Sequence, residues 1–198
     1  ASCRARRTDS EGAIRISASK RRRGTDDCSR IWRDSPTSRI PNIKIPKRGQ
    51  ESVWNYPRPP RLERVHKQMR VEFGGMVLAE TTQGFRLLET GIPPVYYFPP
   101  TDVRVAYLSM SSRQTICEWK GIARYWSIKI GKHGAMDAAW SYPHSGGVYE
   151  AIRNFLAFYP DKVDACYVGK QKVMPQAIEF YGGWITTKIL GPFKGGGN

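Results

Sequence analysis

From Met69 onward the chain alternates apolar and polar residues with a period of two, and glycine and proline pairs cut the alternation at short intervals. A period of two puts successive side chains on opposite faces of a strand, whereas a helix needs a period near 3.6. Met69-Arg70-Val71-Glu72-Phe73, then Gly74-Gly75, then Met76-Val77-Leu78-Ala79-Glu80 predicts a hairpin across a two-residue turn. Further strands are predicted at 85–89, 95–98, 103–110, 115–120, 123–130 and 135–142, with a last short hairpin over 163–174. Proline pairs at 59–60, 93–94 and 99–100 forbid helix and mark strand edges or corners. One segment breaks the rule. Val148, Ile152, Phe155 and Tyr159 recur at helical spacing, Leu156 widens the stripe and Pro160 closes it, which predicts one α-helix near 148–159. Its Ile152, Phe155 and Tyr159 are expected to pack on Trp126, Ile128 and Trp140. The fold class is mainly β, a compact set of coiled antiparallel sheets with this single helix.

Such a body has apolar material to bury. Of 198 residues 40% are hydrophobic, with six Trp, ten Tyr and seven Phe, enough for a real core and too much for wholesale disorder. No window approaches the roughly 18 apolar residues that a membrane-spanning helix needs. The cysteines Cys3, Cys28, Cys117 and Cys166 form no C-x-x-C pair. This argues against a sequence-local zinc site and against a disulfide-dense secreted scaffold. No metal and no cofactor are expected.

Charge divides the chain. Residues 1–50 hold 14 Lys and Arg against 5 Asp and Glu, a net +9 out of the total +15, and show little hydrophobic periodicity. A segment like this cannot bury enough apolar surface to offset its ordering entropy, so 1–50 is expected to be a basic extended tail and 51–198 a β-rich domain. Within the tail, Lys20, Arg21, Arg22 and Arg23 suit RNA phosphates, an anionic membrane surface or an acidic protein face, or belong to a solvated linker. Trp32 is the apolar anchor expected beside them. The Arg- and Ser-rich, acid-poor opening has the composition of the end of an organelle transit peptide, or of the mature sequence just behind one.

Candidate chemistry is sparse. Cys117-Glu118-Trp119-Lys120 reads as strand, with Cys117 and Trp119 on one face and Glu118 and Lys120 on the other. Two readings stay open: a site in which Glu118 acts as base and Lys120 binds an anion, or a cross-strand ion pair over a core-facing Cys and Trp. Trp54, Tyr56, Trp119, Trp126, Trp140, Tyr142 and Trp184 stack a planar ligand with Arg58, Arg61 or Lys120, or fill a core. The proline-rich segment WNYPRPP at 54–60 is the part expected outside the core. The ligand-binding candidates are therefore Trp54, Tyr56, Arg58, Glu118, Lys120, Trp140 and Tyr142. Gly182-Gly183 lacks the context of a phosphate loop, and His66, His133 and His144 lack the spacing of a metal pair. Asp137, Asp161 and Asp164 do not make the closely spaced acidic pattern that holds magnesium in nucleotidyl transfer. No catalytic residue is assigned.

ESVWNYPRPPRLE at 51–63, VYYFPPTDV at 95–103, CEWKGIARYW at 117–126, AAWSYP at 138–143, FLAFYPDKVDACYV at 155–168, FYGGWIT at 180–186 and GPFKG at 191–195 follow one another in the chain. In these motifs and their order the body, over about 51–195, resembles the domain of unknown function 427 family, sometimes labelled a nucleotidyltransferase-type domain. The resemblance implies small antiparallel sheets similar to the tent-like β fold of certain zinc-binding and methionine-sulfoxide-reducing domains. Those domains hold zinc through two C-x-x-C knuckles that are missing here, so no metal is carried over, and the family label supplies no catalytic residue.

The expected function is that of a non-catalytic accessory subunit of a large plastid assembly, attached by its basic tail to other protein subunits. A thylakoid photosynthetic complex is the first expectation, because the family resemblance extends to cyanobacteria-like lineages. An RNA-associated subunit of an organelle ribosome is the alternative, with the mitochondrion as the alternative compartment. A third reading is a small-ligand-binding domain or enzyme with an aromatic-lined site around Glu118 and Lys120.

Overall fold

The computed structural model of the chain describes residues 43–177 and 181–195. Lys20, Arg21, Arg22, Arg23 and Trp32, the residues expected to bind partners through the tail, lie outside the described residues.

The period-two segments form strands, and the strands form two four-stranded sheets and one three-stranded sheet. The first four-stranded sheet orders Ala157–Phe158, His133–Ser141, Gly121–Ile130 and Leu108–Cys117 side by side. The second orders Gln171–Lys172, Ala165–Val168, Met69–Phe73 and Met76–Thr81. The third places Phe85–Glu89 between Arg61–Arg64 and Ile92–Tyr97. All pairs in these sheets are antiparallel. Glu51–Ser52 pairs in parallel with Ile189–Leu190, and Met174–Pro175 pairs with Trp184–Ile185. The protein is mainly β, built of several small antiparallel sheets. Among the described residues no helix is long and apolar enough to cross a membrane.

The Gly74-Gly75 turn forms as its sequence requires. Both glycines have positive φ, 60° and 77°, the pairing that a type I′ hairpin turn demands. Met69, Val71 and Phe73 consequently point inward on one face, with Arg70 and Glu72 on the other. They join a core in which Phe98 packs edge-on against Phe158, 5.6 Å between ring centres, and in which the fully buried Trp184 donates its indole N–H to the Phe158 carbonyl at 3.0 Å.

Two local outcomes differ from the sequence reading. The helical segment expected at 148–159 occupies Gly147–Ile152 and is a 3-10 helix without a side-chain N-cap. Gly146 before it has no capping group, and Asn154 adopts φ 63°, a left-handed conformation that ends helix and that Asn tolerates better than most residues. The chain then extends, and Ala157–Phe158 pairs with Trp140 and Ala139. Strand pairing therefore wins over the helical stripe. Val148 is exposed, Tyr149 is buried in its place, and Phe155 is only partly buried, stacking edge-on with Phe85 at 5.8 Å. Ile152 and Tyr159 are buried in the cluster that holds Trp140, Tyr159 with its ring 4.5 Å from that of Trp140, whereas the expected partners Trp126 and Ile128 belong to the other core cluster.

The second outcome is at Glu118, Trp119 and Lys120. The strands expected at 103–110 and 115–120 are one strand, Leu108–Cys117, with a register shift between Met110 and Gln114. Residues 118–120 are the turn that joins it to Gly121–Ile130, Cys117 facing Gly121 across the hairpin. Gly121 has φ 82°, which closes the turn and releases residues 118–120 from strand alternation.

Candidate functional site

The turn at 118–120 caps a cavity between the three-stranded sheet and the first four-stranded sheet. It holds about 70 Å³ of free space, several times the roughly 10–15 Å³ that one water occupies on that measure. Its back wall is a tyrosine-rich core in which Tyr97, Tyr125, Trp140, Tyr142 and Tyr159 are buried. The wall is hydrogen-bonded. Thr115 Oγ1 and the Tyr125 hydroxyl are 3.0 Å apart, and the Tyr159 hydroxyl is hydrogen-bonded in turn with Tyr125.

Lys120 sits at the centre. Its residue is only 7% exposed, and its ammonium lies 5.0 Å from the centre of the Tyr142 ring. Burial alone would push the Lys120 ammonium down; the Tyr97 phenol, the Cys117 thiol and the Glu89 carboxylate around it outweigh burial and hold it above the usual lysine range. Lys120 therefore stays charged at neutral pH and makes a poor nucleophile. It is an electrostatic anchor. Cys117 is its hydrogen-bond partner. Burial pushes the Tyr97 phenol up to about 12, against the pull of Lys120. Burial also raises the Glu89 carboxyl above the usual carboxylate range, although Lys120, Arg58 and Lys194 all draw it down.

At the mouth, Arg58 reaches in from the proline-rich segment. It pairs with Glu118, stands 3.9 Å from Glu89 and lies 5.5 Å from the centre of the Trp119 ring. Lys194 approaches from the C-terminal segment, its backbone N–H donating to the Gly91 carbonyl at 2.8 Å and its ammonium 5.6 Å from the Trp54 ring. Burial and the like charge of Arg58 lower the Lys194 ammonium to about 8, in spite of Glu89. Trp119 lines the cavity and leaves its buried indole N–H without a hydrogen-bond partner.

Four of the seven sequence candidates line the cavity, Glu118, Lys120, Trp140 and Tyr142, and Arg58 meets it from outside through Glu118, Glu89 and Trp119. Trp54 stands behind Lys194 and donates its indole N–H to the Pro192 carbonyl at 2.7 Å. Tyr56 faces elsewhere. Its hydroxyl donates to Glu51 at 2.9 Å, and it is buried with Val53, Leu88, Ile189 and Phe193. Contrary to expectation, the start of the proline-rich segment is thus core. Glu89, Tyr97, Tyr149 and Lys194 were not legible as site residues. Tyr149 donates to the Pro60 carbonyl at 2.8 Å and so ties the 3-10 helix to the segment that carries Arg58.

A second cleft of about 280 Å³ is lined by Arg64, His66, Lys67, Arg86 and Lys188 among others. Its half-buried cation, Arg86, is already engaged by Glu51 at 3.0 Å and Glu63 at 2.7 Å, and its other basic residues are exposed. Exposed charges of this kind contribute little to a specific site. The Lys120 cavity is the better candidate. No three His, Cys, Asp or Glu side chains are grouped to hold a metal among the described residues.

A family model described as a domain of unknown function (DUF427) matches residues 61–169, more than half of the chain. The match includes Glu89, Tyr97, Cys117, Lys120, Trp140 and Tyr142, while Arg58 and Lys194 at the mouth fall outside it. No curated protein matches the chain.

Proposed function

The chain belongs to the domain of unknown function 427 family, and we propose that this member is a small-ligand-binding domain whose site is the cavity around Lys120. One observation carries the reading: a lysine 7% exposed is kept charged beside free space. Burying an ammonium costs several kcal/mol unless partners compensate, and a lysine serving the fold alone gains more by contacting a carboxylate in a dry interior or by reaching water. Among the described residues Lys120 makes no direct ion pair with a carboxylate, and it faces the free space of the cavity instead. Its aromatic surroundings suit a flat ligand, and Trp119 and Trp140 give an optical signal. Titrating the full-length protein with ring-sized compounds should change its tryptophan fluorescence saturably, and Lys120→Met should abolish the change. A fluorescence response that survives in Lys120→Met would place binding elsewhere.

The net +9 of residues 1–50 supports a second role, attachment as an accessory subunit to a large organelle assembly. A plastid thylakoid complex is the first version and an organelle ribosome the second. Salt and nuclease separate them: release by RNase from an organelle extract would sink the photosynthetic version, and co-migration with chlorophyll on a gradient would sink the ribosomal one.

A further inference from the structure

Granting the preceding reading that the cavity admits a small ligand, we infer that Cys117 is its nucleophile, a thiolate held by the Lys120 ammonium that takes the acyl group of a small activated ester or thioester. The hairpin places the pair. Cys117 ends the strand Leu108–Cys117, Lys120 closes the turn that follows, and both residues line the cavity. Each is 7% exposed, and the two side chains are hydrogen-bonded. A lysine ammonium beside a cysteine favours the thiolate, which is the reactive form, whereas burial among apolar groups suppresses it.

The other cysteine of the domain shows the contrast. Cys166 is 1% exposed in the apolar core, and burial, with Asp161 and Glu72, pushes its thiol up. Around Cys117 the charged and titratable groups are Lys120 from its own turn, Glu89 and Tyr97 from the three-stranded sheet and Tyr149 from the 3-10 helix, with Arg58 and Glu118 paired at the mouth. Burial raises the Glu89 carboxyl against the pull of Lys120, and Cys117 raises it further. The charge of a neighbour raises a carboxyl only if that neighbour is already negative when the carboxyl titrates.

An acyl group suits the donors present. Sγ of Cys117 bonds the acyl carbon, the bond from that carbon to the leaving oxygen or sulfur breaks, and the leaving group departs with the electron pair. The carbonyl oxygen carries negative charge in between, and donors aimed at it lower the barrier. Lys120 has three N–H donors and keeps its proton throughout, so it serves the sulfur and that oxygen together. Trp119 lines the same cavity, and its buried indole N–H, without a hydrogen-bond partner, is a second donor for the oxygen. Free space of about 70 Å³ suits a short acyl chain.

Acetylation of the full chain by 4-nitrophenyl acetate, read at the Cys117 and Cys166 peptides by mass spectrometry, tests this. At about pH 6 Cys117 should carry the acetyl group while Cys166 stays unmodified. Between about pH 6 and about pH 8 its rate should change by less than about threefold, against on the order of a hundredfold for a thiol of ordinary pKa, about 8.5. Lys120→Met should slow the reaction at about pH 6 at least roughly tenfold and restore the steep pH dependence, and Lys120→Arg, which keeps the charge, should keep the flat profile. The profile of the parent chain decides by itself if a variant does not fold. A Cys117 rate that climbs with pH as an ordinary thiol does, or that is unchanged in Lys120→Met, overturns the inference. Alkylation by iodoacetamide at about pH 6 without acetylation overturns the acyl assignment. Where ring-sized compounds still bind saturably and the Cys117 chemistry fails, the ligand site stands and the nucleophile falls; where binding fails too, the ligand-binding reading falls with it.

Discussion

The ammonium of Lys120 lies 5.0 Å from the centre of the Tyr142 ring, so one wall of the cavity compensates part of its charge with a π face. A desolvated cation over an aromatic ring gains about 2 kcal/mol, and a phenyl face serves nearly as well as a phenol. Tyr142→Phe should therefore keep the affinity for ring-sized compounds within about threefold of the parent, whereas Tyr142→Ala should lower both affinity and melting temperature. Calorimetry on the two variants decides it; a loss in Tyr142→Phe as large as in Tyr142→Ala would show that the hydroxyl, not the ring, matters.

Lys194 makes a prediction in pH. Its folded-state value of about 8 lies below the roughly 10.4 of an unfolded lysine, so the folded protein gives up this proton more readily than the unfolded chain. Protonation of Lys194 therefore opposes folding below about pH 8, and the penalty fades as pH rises from there towards about 10.4. Lys194→Met should be more stable than the parent at neutral pH and lose that advantage by about pH 10.5. Denaturant melts across the range measure it. The same amine should acylate faster than the exposed lysines near pH 8, which peptide mass spectrometry can read.

The sheets were legible because period two is a property of neighbouring residues; Met69–Phe73 and Met76–Thr81 form where alternation and Gly74-Gly75 place them. The length of the helix was not. Its stripe at 148, 152, 155 and 159 is genuine, but the pairing of Ala157 with Trp140 depends on a strand roughly seventeen residues away in sequence and overrides local periodicity. The site divides in the same way. Lys120, Trp140 and Tyr142 stood out as an amine and aromatics in suggestive motifs, whereas Glu89 sits in a strand whose pattern is ordinary, and only the stacking of two sheets brings it to Lys120. Reading 118–120 as strand gave Lys120 and Glu118 one face and like exposure; in the turn both line the cavity, Lys120 buried and Glu118 exposed.

The exchange of helix for strand also moves the energetic centre of that segment from Phe155 to Phe158. Phe158 is fully buried against Phe98 and beneath Trp184, and Phe155 is not. Phe158→Ala should cost roughly 3–5 kcal/mol and Phe155→Ala distinctly less. Equal losses in urea unfolding would mean that the segment is packed as a longer helix in solution.

Gly182 carries the last prediction. Its φ is +59°, and a Cβ built there would come within 2.8 Å of Trp140 Cζ3 and 3.1 Å of Tyr159 Cδ1. A left-handed conformation costs a residue with a Cβ roughly 1–2 kcal/mol, and crowding a packed wall adds about 1–3 kcal/mol. Because Trp140 and Tyr159 line the cavity, relief of that crowding should displace one of them and reshape the cavity wall. Gly182→Ala should therefore lower the melting temperature and weaken the binding of ring-sized compounds together. Gly75→Ala is the control: it has a similar φ of +77° but nothing within 4 Å of the added carbon, so it should lose stability without loss of binding. If both variants lose stability alike and neither loses binding, the position of Trp140 is not what shapes the site.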